Sequence, residues 1–390
     1  MIAVIADDFT GAAELGGLGL RHGLRVEVST EVPTATEAEL LVVATDTRST
    51  HQAAAVQRMR DVTAALQALQ PHWMYKKVDS VLRGHVLAEL AAHLDVLGLQ
   101  RALLVPANPH LGRTIRDGHY FLHGTPLHQT SFAHDPEFAI TSSRVLDRIG
   151  THETHPVQVG RPTEPLPASS ITLGEAEHLQ DLTTWAQRAD PHTLTAGASG
   201  FFAALLKHRS PSVSLSLPEP PPFQRPALYV CGSTFHQSRE RVRQERAHGG
   251  PVSYMPAAVV RQEADAPEAL QSWADEIVRL LRTHDYALVA IDPQTTEGVT
   301  VKAADLRDRM ARSLAHVVQQ VPVPELFLEG GSTASALLQR LGLRRFHPVH
   351  ELAPGVIRMR ADGPLARYLT LKPGSYAWPD AVWHVPKPIH

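Results

Sequence analysis

One cysteine, Cys231, occurs in 390 residues, so no internal disulfide can form and a reducing compartment suits the chain. No apolar run approaches the ~20 residues that a membrane-spanning helix needs. A basic excess is missing as well. With 37 Lys and Arg against 40 Asp and Glu, the net charge is -3, which removes the electrostatic case for nucleic acid. The N-terminus, MIAVIADDFTG, has no basic segment ahead of its short apolar run and carries acids directly after it, unlike a secretion signal. These absences predict a cytoplasmic protein with neither membrane nor nucleic acid as partner. What is present is the composition of an ordinary folded chain, 43% hydrophobic and 20% charged, and a length that calls for two cores.

Ile2 to Ala6 is a short β-branched run that stops abruptly at Asp7, Asp8, Thr10 and Gly11. Strand, loop and helix are expected in that order, with the helix carrying Ala12 to His22 and Gly23 closing it before a strand at Arg25 to Ser29. Leu40 to Ala44 and Ala102 to Val105 read as buried strands, and Gln52 to Leu69 as an amphipathic helix. Ser210 to Pro226 is proline-rich without a periodic apolar face, which predicts a stiff, extended linker. Beyond it the alternation resumes, with strands at Ala227 to Cys231, Tyr286 to Ile291 and Leu326 to Leu328 and a helix at Leu306 to Gln320. The expected architecture is two α/β domains with mainly parallel sheets and a ligand cleft between them: residues 1–215, a linker at 216–226, and residues 227–390. In such sheets ligands collect beyond the carboxyl ends of the strands, where the polar motifs of this chain fall.

YKKVDSVLRGH, Tyr75 to His85, gathers Lys76, Lys77, Asp79, Ser80 and Arg83 around Gly84. Such a set can hold an anion and keep one group for proton transfer; the plainer reading is a solvated lysine pair before a helix capped by Asp79 or Ser80. In ADDFTG, Asp7, Asp8 and Thr10 can bind hydroxyls or supply a base, or one of them can simply cap a helix. TDTRST offers Arg48, and PANPHLGRTIRDG offers Arg113 and Arg116, as carboxylate or phosphate binders. His119 and His123 have helical metal-ligand spacing, but the neighbouring glycines favour β or loop geometry, in which that spacing loses its meaning. Gly197 to Gly200 allow a close backbone approach. CGSTF (Gly232, Ser233, Thr234) and EGGSTA (Gly330, Gly331, Ser332, Thr333) each follow a strand and open a helix, a pattern that presents amides to phosphate. KPGSY adds Lys372 and Gly374.

With ADDFTGA, TDTR, YKKVDSVLRG, PANPHLGR, ASGF, CGS, GGSTA and LKPG in this order over nearly its whole length, the chain resembles the four-carbon acid sugar kinase family. The resemblance implies an N-terminal domain for a small sugar acid, a C-terminal domain for ATP with Mg²⁺, and phosphorylation of a hydroxyl of threonate, erythronate or 3-oxo-tetronate. It implies Asp8 as first candidate for the base and Asp79 as second. Asp7, Thr10, Arg48, Lys76, Lys77, Ser80, Arg83 and Arg113 then contact the acid. Gly232, Ser233, Thr234, Gly330, Gly331, Ser332, Thr333 and Gly374 contact the nucleotide; the metal ligands stay open. This chain departs from the family pattern at Val81, at Thr234-Phe235, at Ser332 in place of an acid, and near Ser375, where a second glycine is usual. Two other readings stand beside it: an isomerase or aldolase using Lys76 or Lys77 as an amine nucleophile, and a silent sensor of both ligands. A homodimer is compatible with the sequence.

Overall fold

Five consecutive apolar residues, Ile2–Ala6 (β1), are buried on both faces, as the interior strand of a parallel sheet requires. In the computed structural model, described for all residues but Pro136, 210–218, 233–234, 264–265, 297–300, 364–366, Ser375 and 384–390, the chain divides into two units, Met1–Leu217 and Pro218–His390. In the first unit β1 leads through α1 (Phe9–Arg21) to β2 (Val26–Ser29), β3 (Leu40–Ala44), α2 (Gln52–Ala68), β4 (Trp73–Lys77), α3 (Val86–Leu97) and β5 (Arg101–Val105). An excursion follows, with β6 (Arg113–Arg116), β7 (His119–Leu122) and β8 (Thr125–Pro126) forming a small antiparallel sheet. The unit is completed by α4 (Val145–Ile149), β9 (Val157–Gly160), β10 (Ser170–Gly174), α5 (Leu179–Arg188), β11 (Thr193–Gly197) and α6 (Ser199–Arg209).

The main sheet of this unit runs β2-β3-β1-β4-β11-β5-β10-β9, and every neighbouring pair is parallel. Strand β1 therefore has β3 on one side and β4 on the other. Met59, Val62 and Leu66 of α2 and Ala92 of α3 pack with Ala3, Ile5, Leu41 and Val43 on one face. Helix α1 contacts β3 and α6 instead. The loops leaving β1, β3 and β4 meet at the carboxyl ends of these strands, the position at which ligands collect in such sheets.

The second unit contains β12 (Ala227–Cys231), α7 (His236–Ala247), β13 (Val252–Tyr254), α8 (Ala257–Arg261), α9 (Ala266–His284), β14 (Tyr286–Ala290), α10 (Pro293–Thr296) and α11 (Ala303–Gln320). It closes with β15 (Glu325–Glu329), α12 (Gly331–Arg340), β16 (Arg345–Ala353), β17 (Val356–Ala361), β18 (Arg367–Lys372) and α13 (Asp380–Trp383). Its strands follow the order β13-β14-β12-β15-β18-β17-β16. Neighbours are parallel as far as β18, whereas β16, β17 and β18 form an antiparallel meander that the alternating sequence pattern did not reveal. The mainly parallel α/β expectation holds for both units.

The sequence reads the proline-rich stretch as a stiff, extended linker. Its first part lies outside the described residues, but from Pro221 onward it is fastened to the second unit. Arg358 donates to the carbonyls of Pro221 and Pro222, Gln224 N donates to Glu325 at 3.1 Å, and the Phe223 ring lies 5.3 Å from that of Phe327. A proline run has few amides to pair internally, so its carbonyls remain for Arg358, itself 1% exposed and locked to Glu325 at 2.6 Å. Among the described residues no helix is long and apolar enough to cross a membrane.

Candidate active site

Asp8 follows β1 and caps α1, accepting from Gly11 N at 2.9 Å and from the Thr10 hydroxyl. Arg48, delivered by the loop after β3, grips Asp7 side by side through Nε and Nη2, both at 2.9 Å, and reaches Asp8 through Nη1 at 3.0 Å. It also comes within 3.6 Å of Asp79, from the loop after β4. Three carboxylates from two strand ends therefore surround one guanidinium from a third. Burial disfavours the Arg48 cation, but Asp7, Asp8 and Asp79 outweigh it and push its pKa further up. For Asp8 burial pulls upward, and Arg48, Lys77, Thr10 and the Gly11 amide together hold the carboxyl below the usual range.

Asp79 is more fully engaged. It accepts from Val81 N and Arg83 N, both at 3.1 Å, and from Arg83 Nε and Nη2 at 3.0 and 2.7 Å. Burial would raise its pKa, but Arg83 and Arg48 drive it far below the carboxylate range. Arg83 also binds Asp135 at 2.9 Å. Gly84 has φ of +84°, and a Cβ there would sit 2.9 Å from Arg48 Cγ, so the glycine is needed both for its turn and to let Arg48 pass. Ser80 accepts from Arg113 Nη1 at 2.7 Å, while its carbonyl accepts from the Tyr120 hydroxyl at 2.6 Å.

The two lysines part, because successive side chains on β4 point to opposite faces. Lys77 turns toward α1, donates to Val78 O at 3.0 Å and lies 3.6 Å from Glu14. Lys76 turns toward α3, is 0% exposed, and meets Glu89 at 2.7 Å in an ionic contact outside the directional hydrogen-bond range. The structure thus places Lys76 beneath the cluster, enclosed and paired, where it can serve neither as a substrate contact nor as an exposed amine nucleophile. Glu89 also accepts from the Thr47 hydroxyl. Sequence reasoning missed Glu89; the available signal was an acid on the otherwise apolar stripe of α3. Arg116 lies at the surface, 3.5 Å from Glu177. His119 sits in β7 and His123 in a turn with φ of 48°, and among the described residues no group of three or more His, Cys, Asp or Glu is arranged to hold a metal.

In the second unit three motifs converge. A Cβ on Gly232, after β12, would sit 2.7 Å from the Thr333 hydroxyl, and Gly330 N donates to Lys372 O at 3.0 Å. Ser233, Thr234 and Ser375 lie outside the described residues, and Gly374 occupies the turn after β18. Gly232, Gly330, Gly331, Ser332 and Thr333 line a cavity of about 260 Å³ together with Ile291, Leu306 and Met310. Glu329, which also lines it, is buried, meets Lys372 at 3.1 Å and accepts from the Trp378 indole at 3.2 Å. Burial lowers the Lys372 pKa, with Glu329 opposing that shift, and burial together with Glu329 pushes the Cys231 thiol well up. The cavity offers the N-terminus of α12 to an anion and apolar side chains to a ring.

A family model described as a sugar-binding N-terminal domain matches residues 2–205, and one described as a nucleotide-binding C-terminal domain matches 228–377. D-threonate kinase of Salmonella typhimurium is 29% identical to this chain over 392 residues, covering 90% of it and 89% of the relative. The chain belongs to the four-carbon acid sugar kinase family. A second family member, the 3-oxo-tetronate kinase of Cupriavidus necator, is 26% identical across 97% of this chain and 95% of its own. The crystal structure of a Haemophilus influenzae protein shares the fold, with a TM-score of 0.72 at 20% identity over 97% of this chain and 98% of that one. In this acid sugar kinase family member the carboxylate and arginine cluster lies in the segment matched by the sugar-binding model, and the glycine-lined cavity in the segment matched by the nucleotide-binding one.

Proposed function

We propose that the chain is an ATP-dependent kinase that phosphorylates a hydroxyl of a four-carbon sugar acid of the threonate, erythronate or 3-oxo-tetronate type. Residues 1–215 would bind the acid and 227–390 the nucleotide. The observation that carries this reading is the meeting of Asp7, Asp8 and Asp79 on Arg48 at the carboxyl ends of adjoining strands. A polyhydroxy acid needs carboxylates and amides for its hydroxyls and cations for its charge, and this cluster with Lys77, Ser80, Arg83 and Arg113 offers both.

Asp8 is the better candidate for receiving the hydroxyl proton, because all the described contacts of Asp79 tie it into its own loop and to two arginines. Phosphoryl transfer relies chiefly on alignment and charge neutralisation, so a weakly basic but well-placed carboxylate suffices. Asp7 keeps Arg48 in place, and Thr10 helps to fix the Asp8 oxygens. In the second unit the N-terminal amides of α12, from Gly331 onward, suit a triphosphate, and the side chains of Ile291, Leu306 and Met310 suit the base. Mg²⁺ commonly binds through phosphates, water and one or two protein oxygens, and the Ser332 and Thr333 hydroxyls fit that modest demand. Bound with ATP it would neutralise charge developing on the phosphates. A cytoplasmic setting accords with the single, buried cysteine.

The test is a coupled ADP-release assay of the purified chain across threonate, erythronate and 3-oxo-tetronate isomers. At least one acid should release ADP well above background, and Asp8→Asn should lower kcat by roughly 10² to 10⁴ with little change in the KM for ATP. Background rates with every acid would remove the kinase reading.

A further inference from the structure

The cations of the first unit are not equivalent. Arg48 is committed to Asp7 and Asp8, Arg83 to Asp79 and Asp135, and Lys76 to Glu89, while Lys77 lies 3.6 Å from Glu14. Arg113 and Arg148 differ from these, and whereas Arg148 turns to the Leu82 carbonyl, Arg113 is held on Ser80. Among the described residues no carboxylate stands within ion-pair distance of it; Nη1 donates to Ser80 Oγ at 2.7 Å, and Nε is shut away from solvent without any acceptor. An N–H closed off from water and left without a partner is costly, and more so on a charged group. The cost is met if the side chain shifts on binding so that a ligand oxygen reaches this N–H.

The guanidinium is also held ready. Arg113 opens β6 directly after the turn at Gly112, where φ is +66°. Its backbone is pinned to Asn108 by bonds of 2.8 and 3.1 Å, and its Ser80 partner is pinned by the Tyr120 hydroxyl at 2.6 Å. With Nη1 occupied, the remaining Nε edge matches a planar carboxylate. Little freedom is left to lose on binding.

We propose that Arg113 is the specificity-determining anchor for the substrate carboxylate, taking it side by side along its Nε edge while Ser80 orients the guanidinium. This rests on the sugar-acid kinase reading and divides the labour within it: Arg113 reads the acid end, and the group around Asp7, Asp8 and Arg48 reads the hydroxyls. The chemical class selected is a short hydroxy acid over the neutral polyol of the same length.

Binding is measured by calorimetry, and turnover by ADP release, for a four-carbon acid and its neutral polyol with the wild-type chain, Arg113→Met and Arg113→Lys. Thermal melting is read in parallel. Arg113→Met should weaken acid binding and raise its KM roughly 10- to 100-fold, leave the KM for ATP unchanged, and abolish the preference for acid over polyol. Arg113→Lys should recover part of that preference. The proposal is overturned if Arg113→Met keeps the wild-type acid affinity and the wild-type ratio of acid to polyol, or loses affinity for both compounds equally. Should Arg113→Met fail to fold, Arg113→Lys decides: wild-type acid affinity overturns the anchor, and a several-fold loss confined to the acid supports it. If no acid releases ADP from the wild type, the kinase reading falls, and calorimetry on the same variants still judges the anchor separately.

Discussion

Asp8 fills the capping role that the sequence offered as one alternative and stands in the charged cluster as well. One carboxylate oxygen caps α1 through Gly11 N, and the same group meets Arg48. Lys76 was legible as a cation but not as an enclosed one, because neighbouring positions on a strand face opposite sides and the sequence does not say which side is the site. Gly84 supports the sharpest prediction at this scale. Gly84→Ala must adopt an unfavourable backbone and displace Arg48, so stability should fall by about 1 kcal/mol or more and the KM for the acid should rise, while the KM for ATP stays unchanged. Denaturant unfolding and steady-state kinetics check both parts, and an unaltered acid KM would show that Arg48 tolerates the shift.

Helix α3 is the element that the sequence described least well. It looked like an apolar helix following a reactive turn, yet Glu89 and His93 lie one turn apart on its buried side, next to Lys76. Among the described residues neither ring nitrogen of His93 has a hydrogen-bond partner, and burial, with Lys76 adding to it, pulls its pKa down to about 3. The sign follows from linkage. The unfolded chain takes up a proton near the ordinary value of about 6.5 and the folded chain does not, so stability contributed by neutral His93 is complete above that pH and drains away as pH falls toward the folded value. The slope from this residue is roughly 1.4 kcal/mol per pH unit between those limits. Urea unfolding of wild type and His93→Leu at pH 7 and pH 5 should show a drop in the wild type that the variant lacks in large part; parallel losses in both would place the pH sensitivity elsewhere. No local pattern flagged this histidine, since its environment is made by β4, which lies next to α3 only in the fold.

Across the whole molecule, each unit carries its polar loops at the carboxyl ends of its parallel strands, and each should answer to one ligand. Hydrogen exchange on the intact chain should slow at residues 7–11, 48 and 79–84 when a sugar acid is added, and at 232 and 330–334 when ATP is added. Acid-induced protection confined to the second unit would reverse the assignment. The proline-rich stretch shows the limit of reading by composition: prolines predict a stiff path, but whether that path is free depends on acceptors and donors elsewhere, here Arg358 and Phe327. The sequence by itself determined the alternation of buried strands and helices, and hence the mainly parallel sheets, because burial on both faces demands unbroken apolar runs such as Leu40–Ala44. It also determined which loops carry charge. Only the tertiary structure decided which charges neutralise one another, that Lys76 is enclosed by Glu89, and that Arg113 has no carboxylate beside it among the described residues, because ion pairing depends on distances between strand ends far apart in the chain and no local spacing encodes them.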